Sequence, residues 1–203
     1  HEGTRLSVHS LHTRIFNGAG WDSTWAIPAK GTFNHQQLMG LRKVAIEHSY
    51  KDLPTSPESR SRVHLLRDSR TRQLGNSGKI SEISSRFGFA GVYPERLSFP
   101  EQIRLMSEAE FVVAQGGAAI ANAIFMRPGS FMVLLVADYP EQETFWRNLL
   151  EPFDIQLHFI VGRSKGRRKL PRALHSDFSV SVEEVESVLD RRLIHRPKHD
   201  DWN

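Results

Sequence analysis

The chain has no cysteine among its 203 residues. Disulfide staples, thiolate metal sites and cysteine nucleophiles are therefore excluded, while the compartment stays open. No apolar run approaches the ~20 residues that a membrane-spanning helix needs. Several catalytic signatures are also missing. There is no His-Glu-x-x-His, no Gly-x-Ser-x-Gly elbow, no Gly-Lys-Ser/Thr and no Asp-x-Asp. Zinc-peptidase, α/β-hydrolase and Walker-type readings fall with them. The ten histidines are scattered; His9 and His12 form only an isolated His-x-x-His, so no metal and no cofactor is expected.

Hydrophobic residues make up 39% and charged residues 25%, so one sizeable folded core, or a core plus an arm, is expected. The net charge is +4 and the isoelectric point about 9.6. The excess is clustered. Arg60, Arg62, Arg67, Arg70 and Arg72 form one group; Arg163, Lys165, Arg167, Arg168, Lys169 and Arg172 form another. Each reads as a solvated face or as an anion site, and the second also as a contact to an anionic membrane surface. Aromatics do not interleave with the basic residues, so nucleic acid is not expected.

Residues 1–35 hold Gly18, Gly20, Trp21 and Trp25 without a sustained period and read as an irregular arm or the remnant of another unit, such as an acceptor domain. Gln36–Ser49 reads as a helix with Leu38, Leu41, Ala45 and Ile46 on one face. Asp52–Ser61 is rich in proline and serine and reads as a linker. Alternation follows. Strands are expected at Val63–Leu66, Phe89–Tyr93, Phe111–Ala114, Phe131–Val136 and Ile155–Val161. Helices are expected at Ser77–Phe87, from Ser98 with Glu101 completing a capping box, and at Ala118–Met126, Glu141–Leu150 and Val182–Leu193. The tail from His195 is charged. Nearly unbroken apolar strands between helices predict an α/β fold, a doubly wound, mainly parallel sheet. The expected division is 1–58 for the arm, helix and linker, 59–194 for the sheet domain and 195–203 for the tail.

Ligands of such sheets lie beyond the carboxyl ends of the strands. Arg67, Pro94-Glu95, Gln115–Ala118 and Ala137-Asp138 are expected there. The run Phe111–Ala114 leads through Gln115 into Gly116-Gly117 and a small-residue stretch carrying Asn122. Two glycines let backbone approach a bound group, and the amides of a helix start face an anion. A tight strand–helix junction is the competing reading. Arg67-x-x-Arg70-x-Arg72 offers guanidinium forks that match phosphate oxygens, with a solvated basic turn as the alternative. Asn76 is placed to cap the following helix. Glu95 and Asp138 could reach the same pocket, although Asp138 and Glu141 read first as caps of the next helix.

These residues, in this order, resemble glycosyltransferase family 61. The carrying pieces are Arg67, Arg72 with Asn76, Gly88-Phe89, Pro94-Glu95, Leu97-Ser98-Phe99 with Gln102, Gly117-Ala118-Ala119-Ile120-Ala121-Asn122 and Phe125-Met126-Arg127-Pro128-Gly129-Ser130. They span about residues 62–136. The resemblance implies an inverting transferase of GT-B type, with two Rossmann-like domains, of which this chain supplies the carboxyl-terminal, donor-binding half of a longer enzyme. Its implied ligands are a nucleotide-sugar donor and a glycan or glycoprotein hydroxyl acceptor. Arg67, Arg70, Arg72, Asn76, Gln115, Gly116, Gly117, Ala118 and Asn122 would lie at the donor, its diphosphate neutralised by arginine and helix dipole rather than by metal. The catalytic base is unassigned. The chain departs from the family's pattern at Gly116, where a histidine is usual, and at Leu134, where a glutamate is usual. A bacterial member would be cytoplasmic or membrane-peripheral, a eukaryotic one lumenal in the secretory pathway. The competing reading is a non-catalytic nucleotide- or sugar-phosphate-binding module, or a scaffold subunit.

Overall fold

A computed structural model describes residues 33–52, 61–68, 72–138, 141–164 and 176–193. Arg60, Arg70, the arm with Trp21 and Trp25, most of the linker, Lys165–Arg172 and the tail from His195 lie outside the described residues.

The first described helix, α1, spans His35–Asp52. Strand β1 follows at Arg62–Leu65, helix α2 at Ser77–Arg86 and strand β2 at Ala90–Val92. Helix α3 covers Phe99–Glu108, β3 Phe111–Gln115 and β4 Phe131–Ala137. Helix α4 is Glu141–Leu150, β5 Gln156–Ser164, β6 Phe178–Ser179 and α5 Val182–Leu193. The strands form one sheet in the order β2-β1-β3-β4-β5-β6. All pairings are parallel except β5 with β6. The fold is thus mixed α/β, with a mostly parallel sheet. The two-residue antiparallel β6 was not expected: so short a segment has no alternation to read.

Every residue of β4 is buried, because both faces of the sheet are covered. Side chains along a strand alternate between faces. Met132, Leu134 and Val136 join a core with Leu38 of α1, Ile103 and Met106 of α3 and Leu149 of α4. Phe131, Val133 and Leu135 join the opposite core with Ile80 and Ile83 of α2 and Val185, Val188 and Leu189 of α5. Fully burying one such side chain contributes about 1.5–3 kcal/mol. Helix α1 belongs to the first layer. Leu41, Ala45 and Ile46 pack against that core, Arg42 Nη2 donates to the Met126 carbonyl at 3.0 Å, and the Tyr50 hydroxyl meets Ser107 Oγ at 2.8 Å.

Local signals set the boundaries. Ser98 caps α3 through the Glu101 amide, and the Glu101 side chain returns to the Ser98 amide. Gly88 ends α2 with φ +78°, a left-handed conformation that glycine adopts at no steric cost.

The segment expected as an α-helix after β3 is a 3₁₀ helix, Ala118–Phe125. In a 3₁₀ helix residues three apart eclipse, so long runs are uncommon. Here the eclipsed rows read Ala118-Ala121-Ile124, Ala119-Asn122-Phe125 and Ile120-Ala123-Met126, and each contains an alanine.

Candidate functional site

The strand order places a reversal between β1 and β3. From β1 the chain passes through α2 to β2 on one side; from β2 it passes through α3 to β3 on the other. Crevices at such switch points lie beyond the strands' carboxyl ends. Leu66-Arg67 leaves β1 there, and Gly116-Gly117 leaves β3.

The two exits touch. Arg67 Nη1 approaches the Gly116 carbonyl at 3.5 Å. A Cβ built on Gly117 would sit 3.2 Å from the same nitrogen. Gly117 has φ 174°, extended backbone open to any residue. Its lack of a side chain therefore matters for the guanidinium lying on it, not for a left-handed turn.

Beside this corner, toward α2, opens a cleft of about 440 Å³. Its wall is formed by the end of β1 from His64 to Asp68, by Arg72–Leu74, by Ser77, Gly78 and Ser81 of α2, and by Tyr93 and Gln115. Gly116, Gly117, Ala118, Asn122 and Asp138 are not among these lining residues. The cavity is thus displaced from the glycine turn toward the first turn of α2. Ser77, Gly78, Ser81, His64 and Tyr93 were missed from sequence. The available signal was the Asn76-Ser77-Gly78 helix start directly after the arginine loop.

Arg72 has φ +55°, a conformation that costs a non-glycine residue about 1–2 kcal/mol. Its carbonyl accepts a short hydrogen bond from Gln115 Nε2. That bond pins the loop to the end of β3. Arg72 Nε is buried and has no hydrogen-bond partner among the described residues. Burial pulls the Arg72 guanidinium below the usual arginine range. Burial does the same to Arg67, the charge of Arg72 adds to it, and Glu95 opposes it. Both groups remain cations, since arginine does not lose its proton in proteins. Two mutually repelling, partly desolvated guanidiniums at one crevice are relieved by an anion.

The remaining expected residues have specific partners. Glu95 Oε1 accepts the Asp68 amide at 2.7 Å, tying the β1 exit to the β2 exit. Asn76 stands at the N-cap of α2 but makes no side-chain cap bond. Its Nδ2 donates to the Val180 carbonyl at 2.8 Å, and its Oδ1 accepts the Val180 amide at 3.4 Å. Asn76 thereby clips the start of α2 to the segment between β6 and α5. Asn122 Nδ2 donates to Gln102 Oε1 at 2.7 Å, and Gln102 donates to the Leu97 carbonyl at 3.0 Å. Asp138 Oδ1 accepts the Ser164 amide at 3.2 Å, together with a short bond from the Ser164 hydroxyl. Leu134 is fully buried in the core, so nothing at that position faces a ligand. The structure therefore brings Arg67, Arg72, Gln115, Gly116 and Gly117 to one corner with Glu95 close by; Asn76, Asn122 and Asp138 engage protein partners. Arg70 lies outside the described residues.

Compared with protein families, residues 1–133 match Glycosyltransferase 61. Every residue lining the cleft falls inside that span, as does α1. Asp138 falls outside it. No curated protein matches the chain.

Proposed function

The chain belongs to glycosyltransferase family 61, and on that premise we propose that its switch-point corner holds the diphosphate of a nucleotide-sugar donor. The family implies sugar transfer in general, from a sugar donor to a glycan acceptor. The specific reading is transfer to a glycan or protein hydroxyl with inversion, this chain supplying the Rossmann-like donor half of a GT-B arrangement. The observation that carries the diphosphate assignment is the buried, unpartnered Arg72 Nε beside the Arg67 guanidinium that lies on Gly117.

In the reaction the acceptor hydroxyl oxygen bonds to the anomeric carbon as the bond to the diphosphate oxygen breaks. The hydroxyl proton passes to a base not assigned in this chain, and the electron pair leaves on the diphosphate. Charge thus grows on the leaving group. Fixed donors aimed at that charge stabilise the transition state more than the ground state. Arg67, just past the end of β1, and Arg72, whose carbonyl is bonded to Gln115 at the end of β3, would supply such donors. Their N–H groups would face phosphate oxygens, and the Ala118 and Ala119 amides at the 3₁₀ start add further donors. Gln115 acts by holding the Arg72 backbone in place.

Calorimetric titration with UDP, GDP, CDP and ADP, followed by a donor-hydrolysis assay, tests this reading. Saturable binding of at least one diphosphate and release of sugar from its nucleotide-sugar are expected. Binding of none would refute it.

A second reading is supported by Gly116, which stands where the family usually carries histidine. Under it the chain binds nucleotide but does not catalyse. Binding without turnover, even with an acceptor half supplied, selects that reading.

A further inference from the structure

His64 is a buried imidazole that the site described above leaves unused. It lies on β1, between Gly91 of β2 and Val113 of β3, and is 5% exposed. Its neighbours Val63 and Leu65 belong to the α1–α3 core, so alternation turns His64 toward the α2 face. There it lines the cleft. Its ring makes no hydrogen bond to any described residue. Burial alone lowers its pKa, from 6.5 to about 4, so the ring is neutral near pH 7. A neutral imidazole carries one N–H donor and one acceptor.

The opposite wall is the first turn of α2. Ser77 N–H is taken by the Leu74 carbonyl at 3.0 Å, and Ile80 N–H by the Asn76 carbonyl at 3.2 Å. The Gly78 and Lys79 amides are then the first-turn donors at the helix mouth. No acidic residue stands in that turn, and the Asn76 side chain does not cap it, being held by Val180. The positive end of the helix dipole therefore faces the cleft without a carboxylate of its own. Arg72 Nε, also unpartnered, belongs to the same lining.

We propose that the cleft between β1 and α2 is a phosphoryl subsite, in which phosphate oxygens accept from the first-turn amides of α2, from Arg72 Nε and from the His64 ring N–H. The assignment rests on the diphosphate reading given above and extends it. One phosphoryl group of the donor occupies the cleft rather than the glycine turn, and His64 is a binding residue. A free inorganic phosphate or pyrophosphate carries the same chemistry.

Two measurements on the full chain test it. The first is ¹⁵N NMR of the His64 imidazole during titration with inorganic pyrophosphate, with UDP, GDP, CDP and ADP, and with the corresponding nucleosides. The second is Gly78→Asp. A Cβ at Gly78 meets nothing within 4 Å, and a carboxylate in the first turn favours the helix dipole. This variant should melt at the same temperature or higher while binding pyrophosphate and the cognate nucleoside diphosphate at least tenfold more weakly. The ring-nitrogen signals should move on saturation with either anion and stay still with the nucleosides. Static imidazole signals with unaltered Gly78→Asp affinity would overturn the subsite and leave the diphosphate reading standing. Imidazole signals that move with nucleosides alone would overturn its phosphoryl character. Failure of all four diphosphates to bind would remove both.

Discussion

Replacing Arg72 with glycine should make the protein more stable and less able to bind. Three structural terms set the stability side. The residue sits at φ +55°, which costs a side chain about 1–2 kcal/mol. Glycine removes that cost and returns about 0.5–1 kcal/mol of it through greater freedom in the unfolded chain. The buried Nε without a partner is a further penalty on the order of 1–3 kcal/mol that vanishes with the side chain; lost packing of the arginine stem offsets part of it. The Gln115 bond survives, because its acceptor is the backbone carbonyl. The net gain should be on the order of 1 kcal/mol, a rise of about 2–4 °C in a protein of this size. On the binding side, a hydrogen bond from a charged group contributes about 1.5–3 kcal/mol. Its loss should weaken nucleoside-diphosphate binding by about 10- to 150-fold. Thermal unfolding and calorimetry on the same preparations give both numbers. A lower melting temperature with unchanged affinity would show that Arg72 is a structural arginine and refute the reasoning.

Gly162→Ala should destabilise, because its Cβ would collide with the Ser179 carbonyl oxygen and fall 2.8 Å from Phe178. Overpacking against backbone costs about 1–3 kcal/mol; since β6 leads to the Val180–Asn76 clip, urea unfolding should show the loss and diphosphate affinity should fall with it. Gly117→Val should push the Arg67 guanidinium from the place it now occupies 3.2 Å from the Cβ position. Circular dichroism should stay native while diphosphate affinity drops at least tenfold. The pKa of His64, lowered from 6.5 to about 4, means that between those values the unfolded chain binds the extra proton. Its contribution is therefore fully present above about pH 6.5 and is lost as pH falls toward 4, on the order of 3 kcal/mol in all. Urea unfolding of His64→Leu should show a flatter dependence over that window, and parallel curves would contradict the account.

Much of the fold was legible because its signals are local. The apolar runs at Phe111 and Phe131, the Ser98/Glu101 box and Gly88 each state their conformation within a few residues. The 3₁₀ geometry of Ala118–Phe125 was not, since a small-residue run suits either helix. The site was half legible. Arg67, Arg72 and the glycine turn could be placed at one sheet edge because strand ends in a parallel sheet converge. The fates of the amides could not. Asn76 reads as a cap wherever it precedes a helix, yet Val180, far along the chain, takes it. Asn122 is taken by Gln102 on another helix. Such partners are set by tertiary contact, and the cleft on the α2 side exists only once β1, the arginine loop and α2 are packed together.

The most direct test is a crystal structure of the chain with a bound nucleoside diphosphate. The account predicts phosphate oxygens within hydrogen-bonding distance of Arg72 Nε, at the crevice between β1 and β3. A diphosphate bound elsewhere, with Arg72 Nε making no bond to it, would contradict it.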